Sequence, residues 1–263
     1  MKQQLNKYLR AYLIITVIIT NVFFGVNFAI AAGTQTSSLS KGLIAHFPLN
    51  RATMQSTTTF IDKTPNARIG TITPGASAGL VADQKGLPGG AYDFDGANTK
   101  IDTQSNWLPQ SVMSISGWIY PESWGESTFG FILSNRDLTD NSFFLGINDS
   151  VAGKVNTLTA YAGAYATAAD NAIILNKWTH FAITRTAAGR ATFYINGVQS
   201  GAANQNCGTD TSGNNVLIGV RYDGLFNFDG RISDLRVYNR ALSATEVKTL
   251  YKSYGSAVQS NTE

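Results

Sequence analysis

The stretch that decides the fold is NKWTHFAITRTAAGRATFYINGVQSG, residues 176–201. Phe181 and Ile183 share one face and alternate with residues of the opposite face, and this period of two predicts a strand rather than a helix. A second alternating run follows a polar turn and ends at Asn196-Gly197, a pair suited to a two-residue hairpin turn with positive φ at both positions. The stretch is therefore predicted to be an antiparallel meander whose side chains are mostly core and scaffold.

The same alternation recurs along most of the chain, between turns rich in Gly and Asn. Charged residues are only 14%, aromatic residues reach 11%, and there are 25 glycines, which is typical of a β-sandwich with many tight turns. The segment 50–90 is predicted to be a long loop with short strands at most. An all-β fold, a two-sheet antiparallel jelly-roll sandwich, is predicted. The other predicted strands are 42–49, 90–96, 99–103, 111–121, 128–135, 142–148, 157–163, 215–220 and 230–239.

A short C-terminal helix is the one helix that the pattern predicts after the N-terminal segment. Ser243 and Glu246 have the spacing of a capping box, in which each side chain bonds the backbone N–H of the other residue. Leu242 and Val247 occupy the two positions of a hydrophobic staple, and Gly255 is suited to end the helix. The helix is expected to pack on the sandwich and to stabilise the last strand.

The N-terminus is predicted to be a secretory signal peptide, residues 1–31. A basic segment precedes a long apolar run, and Ala29-Ile30-Ala31 offers small residues for cleavage after Ala31. The alternative is an uncleaved membrane anchor, because the apolar run is near the length that spans a bilayer. Both alternatives export the rest of the chain, which is therefore expected to be secreted, periplasmic or on the cell surface.

The predicted domain organisation after residue 31 is simple. Residues 32–40 are small and polar and are predicted to be a linker, 41–255 form one domain, and 256–263 form a tail.

Three of the 20 basic residues lie in the signal segment, so the exported part has 17 basic and 17 acidic residues. A nucleic-acid-binding protein should have a basic face, and no cluster of basic residues is visible in this neutral part of the sequence, so nucleic-acid binding is not expected. Cys207 is the single cysteine, which rules out an intramolecular disulfide, and it is predicted to be an incidental free thiol in a polar loop.

Four segments, taken in order, resemble the LamG-like members of the concanavalin A-like lectin/glucanase superfamily. The resemblance implies a jelly roll of two curved antiparallel sheets, a role in binding glycans or proteins at the cell surface, and a structural calcium. The segments are GLIAHFPLN (42–50), GGAYDFDG (89–96), NKWTHFAITRTAAGRATFYINGV (176–198) and IGVRYDGLFNFDGRISDLRVYNRALSATEV (218–247).

Catalytic chemistry finds little support in the sequence. Retaining glycosidases need two carboxylates about 5–5.5 Å apart, which the superfamily's glucanases carry as Glu-x-Asp-x-x-Glu, and none of the four glutamates here begins such a run. Asp93 and Asp95 point the same way and are interpreted as turn or strand-end residues. His46 and His180 are interpreted as packed strand histidines, and without a His- or Cys-rich cluster a catalytic zinc is not expected.

Calcium binding is the metal chemistry that the resemblance implies. Calcium takes carboxylate, amide and backbone oxygens. Asp62 resembles the acid of the family's first long loop, and Asp234 follows Ser233, which stands where the family often has an acid. Asp62 and Asp234 are therefore the predicted metal ligands, and the open alternative is that both only bond turn backbone.

Glycan binding requires exposed aromatic rings beside polar groups, because sugars present apolar ring faces and hydroxyl rims. Trp118 and Trp178 lie in predicted strands and are expected in the core, so the candidates come from predicted loops. The predicted carbohydrate-binding residues are Trp107, Trp124, Arg136, Asp137, Tyr222 and Asp223.

The sequence therefore predicts an exported, non-catalytic carbohydrate-binding, lectin-like module. Its expected partner is a glycan or a cell-surface polysaccharide, with no nucleic acid, and with the membrane only if the signal segment stays uncleaved. The first alternative is a structural or adhesive cell-surface module that binds protein. The second is a glycan-degrading enzyme of the glucanase or lyase type.

Overall fold

The computed structural model describes residues 39–135, 142–149, 154–211 and 213–255. The signal peptide and tail predictions lie outside these residues, as does most of the predicted linker. Contacts divide the chain into Met1–Lys41 and Gly42–Glu263, and all elements below belong to the second unit. Among the described residues, no helix combines the length and the apolar character needed to cross a membrane.

Two antiparallel sheets form the fold, which confirms the predicted all-β sandwich. Sheet A has eight strands in the order β15-β14-β13-β8-β17-β6-β5, with β1 also paired to β17, and sheet B has nine in the order β12-β11-β10-β9-β16-β7-β4-β3-β2. The strands are β1 Leu43–Phe47, β2 Met54–Ser56, β3 Thr59–Ile61, β4 Ile69–Thr73, β5 Gly79–Val81, β6 Ala91–Asp95, β7 Lys100–Asp102, β8 Met113–Pro121, β9 Gly130–Ser134, β10 Phe144–Asp149, β11 Lys154–Tyr161, β12 Tyr165–Thr167, β13 Thr179–Arg185, β14 Arg190–Ile195, β15 Val198–Asn206, β16 Leu217–Ile218 and β17 Asp229–Tyr238.

The meander predicted for residues 176–201 is confirmed as β13, β14 and the start of β15. Phe181 pairs with Ile195 and Ile183 with Phe193, and all four contribute to the core between the sheets. Asn196 and Gly197 have φ of 51° and 76°, the positive values that the predicted turn needs. The stretch is mainly scaffold, as its alternation predicts.

The C-terminal helix, α1, covers Ala244–Gly255. The Ser243 N–H donates to Glu246 Oε2 at 2.9 Å and the Glu246 N–H donates to Ser243 Oγ at 3.3 Å, so the capping box is confirmed. Leu242 and Val247, the staple residues, are both buried. The helix lies on the outer face of sheet A, where the Tyr251 ring is 5.7 Å from Trp118.

The expected burial of Trp118 in a strand is confirmed, whereas the expectation that Trp178 lies in a core strand is wrong. Trp178 is only half-buried and stands 5.7 Å from Tyr120 on the outer face of sheet A, outside the core. Trp118 is buried, but between sheet A and α1 rather than between the sheets.

Cys207 is 0% exposed within the core, and this burial raises the pKa of its thiol to about 11. The polar residues around Cys207 predict an exposed loop, so its burial could not be predicted from the sequence.

Candidate functional site on sheet B

One row of side chains crosses all nine strands of sheet B on the face turned away from the core. Successive pairings link one residue of each strand to the next. Core residues such as Ile101, Ile218 and Leu145 are sequence neighbours of row residues, so the row faces outward. In strand order from β2 to β12 the row is Ser56, Thr59, Thr71, Asp102, Leu217, Ser134, Phe144, Tyr161 and Tyr165.

The β9–β12 end of this face carries an aromatic cluster. The Phe131 ring stacks on Phe144 at 4.6 Å and on Phe226 at 5.6 Å, and Phe144 stacks on Tyr161 at 5.7 Å. Phe129, Phe131 and Phe144 are buried, although they form a cluster separate from the main core. Tyr165 remains 38% exposed at the rim. This half of the face is therefore filled by its own rings.

The loop 219–228 joins the aromatic cluster to the polar half of the row. Arg221 lies 4.4 Å above the Phe226 ring, and it donates two hydrogen bonds to Asp223, from Nε at 2.9 Å and from Nη2 at 2.6 Å. The hydrogen bonds from Arg221 lower the pKa of Asp223. The paired side chains fix the loop, and the loop presents Tyr222 with 39% of its surface exposed.

A pocket of about 290 Å³ opens in the middle of the row. Asp102 and Leu217 of the row form part of its lining, and Tyr222 comes from the loop 219–228. The lining thus combines a carboxylate, side-chain amides, one aliphatic residue and one exposed aromatic ring. Its residues are Asp102, Gly213, Asn214, Asn215, Leu217 and Tyr222.

Asp102 is the charged group of this pocket. Its Oδ1 accepts hydrogen bonds from the Gln104 N–H at 2.7 Å and from Asn215 Nδ2 at 3.3 Å. Among the described residues, no donor binds its Oδ2. The carboxylate is therefore held in place through one oxygen while the other can accept hydrogen bonds from a ligand.

The two predicted loop tryptophans do not line this pocket. Both are half-buried and pack against the main core. The Trp107 ring lies 6.3 Å from Phe47 and 5.0 Å below the Arg68 guanidinium, and its Nε1 donates to Thr103 Oγ1 at 2.8 Å. A half-exposed tryptophan often covers the edge of a sandwich in this way. A sugar-binding role for Trp107 and Trp124 stays a prediction.

The other four predicted sugar-binding residues have different positions. Tyr222 lines the pocket, and Asp223 stabilises the loop next to it through Arg221. Arg136 and Asp137 lie outside the described residues. Asp102, Asn214 and Asn215 were missed, because a single polar residue at a strand end or in a loop resembles many others. The weak signal for Asp102 was its alternation with Ile101, which predicts an outward side chain.

The predicted calcium ligands Asp62 and Asp234 lie on either side of His46. The Asp62 carboxylate accepts hydrogen bonds from the His46 and Thr64 N–H groups, both at 2.8 Å, and its Oδ2 pairs with Arg68 at 3.0 Å. Asp234 Oδ1 is 2.7 Å from His46 Nε2 and 3.0 Å from an Arg236 nitrogen. Burial opposes ionisation of Asp234, but the hydrogen bond with His46 and the charge of Arg236 hold its pKa below the usual range.

This donor set fits poorly around calcium. Each carboxylate already faces an arginine cation, which calcium would have to displace. Within the described part of the chain, no group of three or more His, Cys, Asp and Glu side chains is arranged to hold a metal ion. Calcium at Asp62 and Asp234 stays a prediction that rests on the family resemblance.

A second group of acids lies on the outer face of sheet A. Burial, and next the negative charge of Glu122, raise the pKa of Asp93 to about 6. Arg231 pairs with Glu122 at 2.9 Å and lies 3.8 Å from Asp93. Asp95, by contrast, accepts hydrogen bonds from the N–H groups of Ala97, Asn98 and Thr99, as its interpretation as a turn residue requires.

Comparison with known families confirms the resemblance on which the sequence predictions depend. A search of the curated proteins finds no match. Residues 95–248, more than half of the chain, match the family described as the concanavalin A-like lectin/glucanases superfamily. The chain belongs to this superfamily.

Solved structures with a similar fold include proteins that were determined in complex with a sugar. Domain 4 of AbnA, a GH43 extracellular arabinanase from Geobacillus stearothermophilus determined in complex with arabinotriose, has a TM-score of 0.60 at 21% identity over 80% of this chain and 98% of that domain. The botulinum neurotoxin serotype D binding domain has a TM-score of 0.54 at 14% identity over 81% of this chain and 52% of that domain.

A sialidase from Trypanosoma rangeli in complex with sialic acid has a TM-score of 0.59 at 13% identity. The match covers 83% of this chain and 34% of the sialidase, so this chain spans about a third of that enzyme. At such identities these likenesses show the fold alone.

Proposed function

We propose that this protein is an exported, non-catalytic carbohydrate-binding module whose sugar site is the pocket around Asp102 and Tyr222. The observation that carries the proposal is the lining of this pocket. A carboxylate with one oxygen left for a ligand lies beside amides and an exposed aromatic ring. Sugar hydroxyls donate to carboxylates and accept from amides, and the apolar face of a sugar ring packs on an aromatic ring.

The size of the pocket suits a small ligand unit. Its volume is near the lower end of the range of about 300–1,000 Å³ typical of small-molecule sites. The known structures of the same fold support the proposal in a general way, since domain 4 of the arabinanase was determined with arabinotriose. A single shallow site of this kind is expected to bind weakly, with a Kd near 1 mM, or about −4 kcal/mol.

A glycan array, followed by titration calorimetry on the best neutral glycan, tests the proposal. Asp102→Asn keeps the size of the side chain but loses its charge, and a lost hydrogen bond to a charged group is worth about 1.5–3 kcal/mol. We expect binding to weaken by about tenfold or more, and Tyr222→Ala to weaken it as well. Tyr165→Ala, an exposed tyrosine five strands from Asp102, is the matched control.

The proposal fails if no glycan binds, or if the Asp102 and Tyr222 variants bind as well as the parent. Melting curves should show all three variants folded, because each altered side chain is partly exposed.

The enzyme alternative has one observation in its favour, the Asp93 carboxyl with its pKa raised to about 6 beside Glu122. A raised pKa is what a general acid needs near neutral pH. Incubation with neutral polysaccharides and assay of new reducing ends separates the two functions. We expect no release by the parent protein. Release that disappears in Asp93→Asn would replace our proposal with a hydrolase.

Export is the remaining part of the proposal, and it rests on the apolar N-terminal segment and on Ala29-Ile30-Ala31. N-terminal sequencing of protein recovered outside the producing cells should begin at Ala32. Recovery of a Met1-containing chain from washed membranes would instead support the anchor.

A further inference from the structure

The half of the sheet B face beyond the pocket, toward β2, is open and lined by hydroxyl groups. Thr71, Thr59 and Ser56 follow Asp102 in the row, one on each successive strand. Thr71 and Thr59 are half-buried and Ser56 is exposed. We call these three residues the hydroxyl strip. With strands about 4.8 Å apart, three steps carry the strip about 14 Å from Asp102.

The strip is connected to the pocket by hydrogen bonds. Gln104 donates from its backbone N–H to Asp102 Oδ1 at 2.7 Å and from its side-chain Nε2 to Thr71 Oγ1 at 2.9 Å. At the far end, Ser56 Oγ lies 2.7 Å from Thr59 Oγ1. A hydroxyl both donates and accepts, so the strip presents to a ligand the same hydrogen-bonding groups that a sugar carries.

An apolar pair runs alongside the strip. Ile61 and Ile69 lie directly opposite each other on β3 and β4, on the same outer face as Thr59 and Thr71, which are two residues away on the same strands. Ile69 is 51% exposed and Ile61 is half-buried. The face therefore presents a row of apolar side chains next to the hydroxyl strip. This arrangement matches sugar rings, which have apolar faces and hydroxyl groups at their rims.

The opposite direction from the pocket is closed. Ser134 and Phe144, which continue the row toward β12, are both 0% exposed. A chain bound in the pocket can therefore continue over β4, β3 and β2 but not over the aromatic cluster.

The charge of this face indicates what kind of chain fits. Among the strand residues that face outward on β2, β3, β4 and β7, Asp102 and Lys100 are the only charged ones, and they balance each other. We propose that the site binds an extended, uncharged glycan chain, with one unit in the pocket and the next units along the hydroxyl strip, rather than a single terminal sugar. This inference rests on the proposed function.

The inference is tested with linear neutral oligosaccharides of increasing length, from disaccharide to hexasaccharide. We would use arabino-, cello- and galacto-oligosaccharides and measure each Kd by titration calorimetry. We expect affinity to rise by about tenfold or more along the series that binds, because each added unit meets further groups of the strip. Constant affinity from disaccharide to hexasaccharide would overturn the inference and leave the proposed function standing. Absence of binding by every probe would overturn both.

Variants of the strip show whether it causes the length dependence. Thr59→Val/Thr71→Val removes two hydroxyls with little change in side-chain shape, and Ile69→Ser removes the exposed apolar group at a site where folding is not at risk. We expect both variants to lose the gain in affinity with length, so that each weakens binding of the hexasaccharide more than binding of the disaccharide, whose second unit reaches only the start of the strip at Thr71. Tyr165→Ala should keep the gain. Full length dependence in Ile69→Ser and in a folded Thr59→Val/Thr71→Val would refute the assignment to this strip.

Discussion

At the scale of single residues, His180 shows how burial sets a charge state. Its ring is 2% exposed between sheet A and α1, with Trp118 at 5.2 Å and Tyr251 at 5.7 Å. Burial is the main reason that its pKa falls from 6.5 to about 4, although the charge of Asp234 acts in the opposite direction. The interpretation of His180 as a packed strand histidine is confirmed.

The depressed pKa of His180 makes part of the folding stability depend on pH. In the unfolded chain the ring binds a proton below pH 6.5, whereas in the folded protein it does so only near pH 4. The free energy of unfolding is therefore unaffected by this group above pH 6.5 and decreases as the pH falls from 6.5 toward 4. The total decrease is about 3 kcal/mol, since a pKa difference of one unit between the folded and unfolded states corresponds to about 1.4 kcal/mol.

His180→Phe isolates this contribution, because all other titrating groups are shared with the parent. Urea unfolding at several pH values should show the parent losing stability relative to His180→Phe as the pH falls from 6.5 to 4. Parallel stability curves for the two proteins would contradict this prediction.

Trp118, in β8, and Trp178, just before β13, should respond differently to truncation. Trp118 is 8% exposed between sheet A and α1, so Trp118→Ala should cost about 3–5 kcal/mol of unfolding free energy. Trp178 is half-buried on the surface, and Trp178→Ala should cost about 1 kcal/mol. Chemical unfolding of both variants compares the two losses of unfolding free energy. Equal losses would contradict the half-buried surface position of Trp178.

At the scale of elements, α1 shows how a local signal is used by the whole fold. Its capping box fixes where the helix begins, and hydrogen bonds from Arg240 and Ser243 lower the pKa of Glu246 to about 2. Its buried residues Val247 and Leu250 face the sandwich. The helix therefore covers the Trp118 and His180 rings, which would otherwise be exposed on the outer face of sheet A.

Ser243→Ala should destabilise the protein by about 1 kcal/mol, because the Glu246 N–H loses its cap. Thr245→Ala, an exposed position in the same turn, is the matched control and should change stability by less than about 0.5 kcal/mol. Thermal and urea unfolding compare the two. An equal effect in both variants would mean that helix propensity, and not the cap, is responsible.

At the scale of the whole molecule, the two sheets give the protein two unlike outer faces. Sheet A is partly covered by α1, whereas sheet B carries the row that ends in an open hydroxyl strip on one side and an aromatic cluster on the other. The sugar-binding proposal depends on this asymmetry, because the pocket lies where the two halves of the row meet.

Calcium binding is also a question for the whole molecule, since an ion bound only by the folded state raises the melting temperature. If the ion that the family resemblance implies is present, millimolar calcium should raise the melting temperature and Asp234→Ala should abolish the rise. Because Arg236 bonds Asp234 directly, Arg236→Ala should then strengthen calcium binding. Identical melting curves in calcium and in chelator, for the parent and for Arg236→Ala, would end the calcium prediction.

The sequence by itself determined the local features of this protein. Alternation predicted that β13 and β14 are strands and which of their side chains face the core. Asn196-Gly197 predicted the hairpin turn, and Ser243 with Glu246 predicted the start of α1. Each of these signals involves residues within a few positions of one another, where backbone geometry and nearest-neighbour contacts decide the outcome.

Only the tertiary structure decided what the site contains. Asn215 bonds Asp102 across 113 positions of the chain, and the row from Ser56 to Tyr165 exists because eight strand pairings align in register. A one-residue shift in any pairing would turn the next side chain to the other face. Register depends on how the whole sheet packs on its core, so a pattern read along the chain predicts which face a side chain takes but not which distant residue lies beside it.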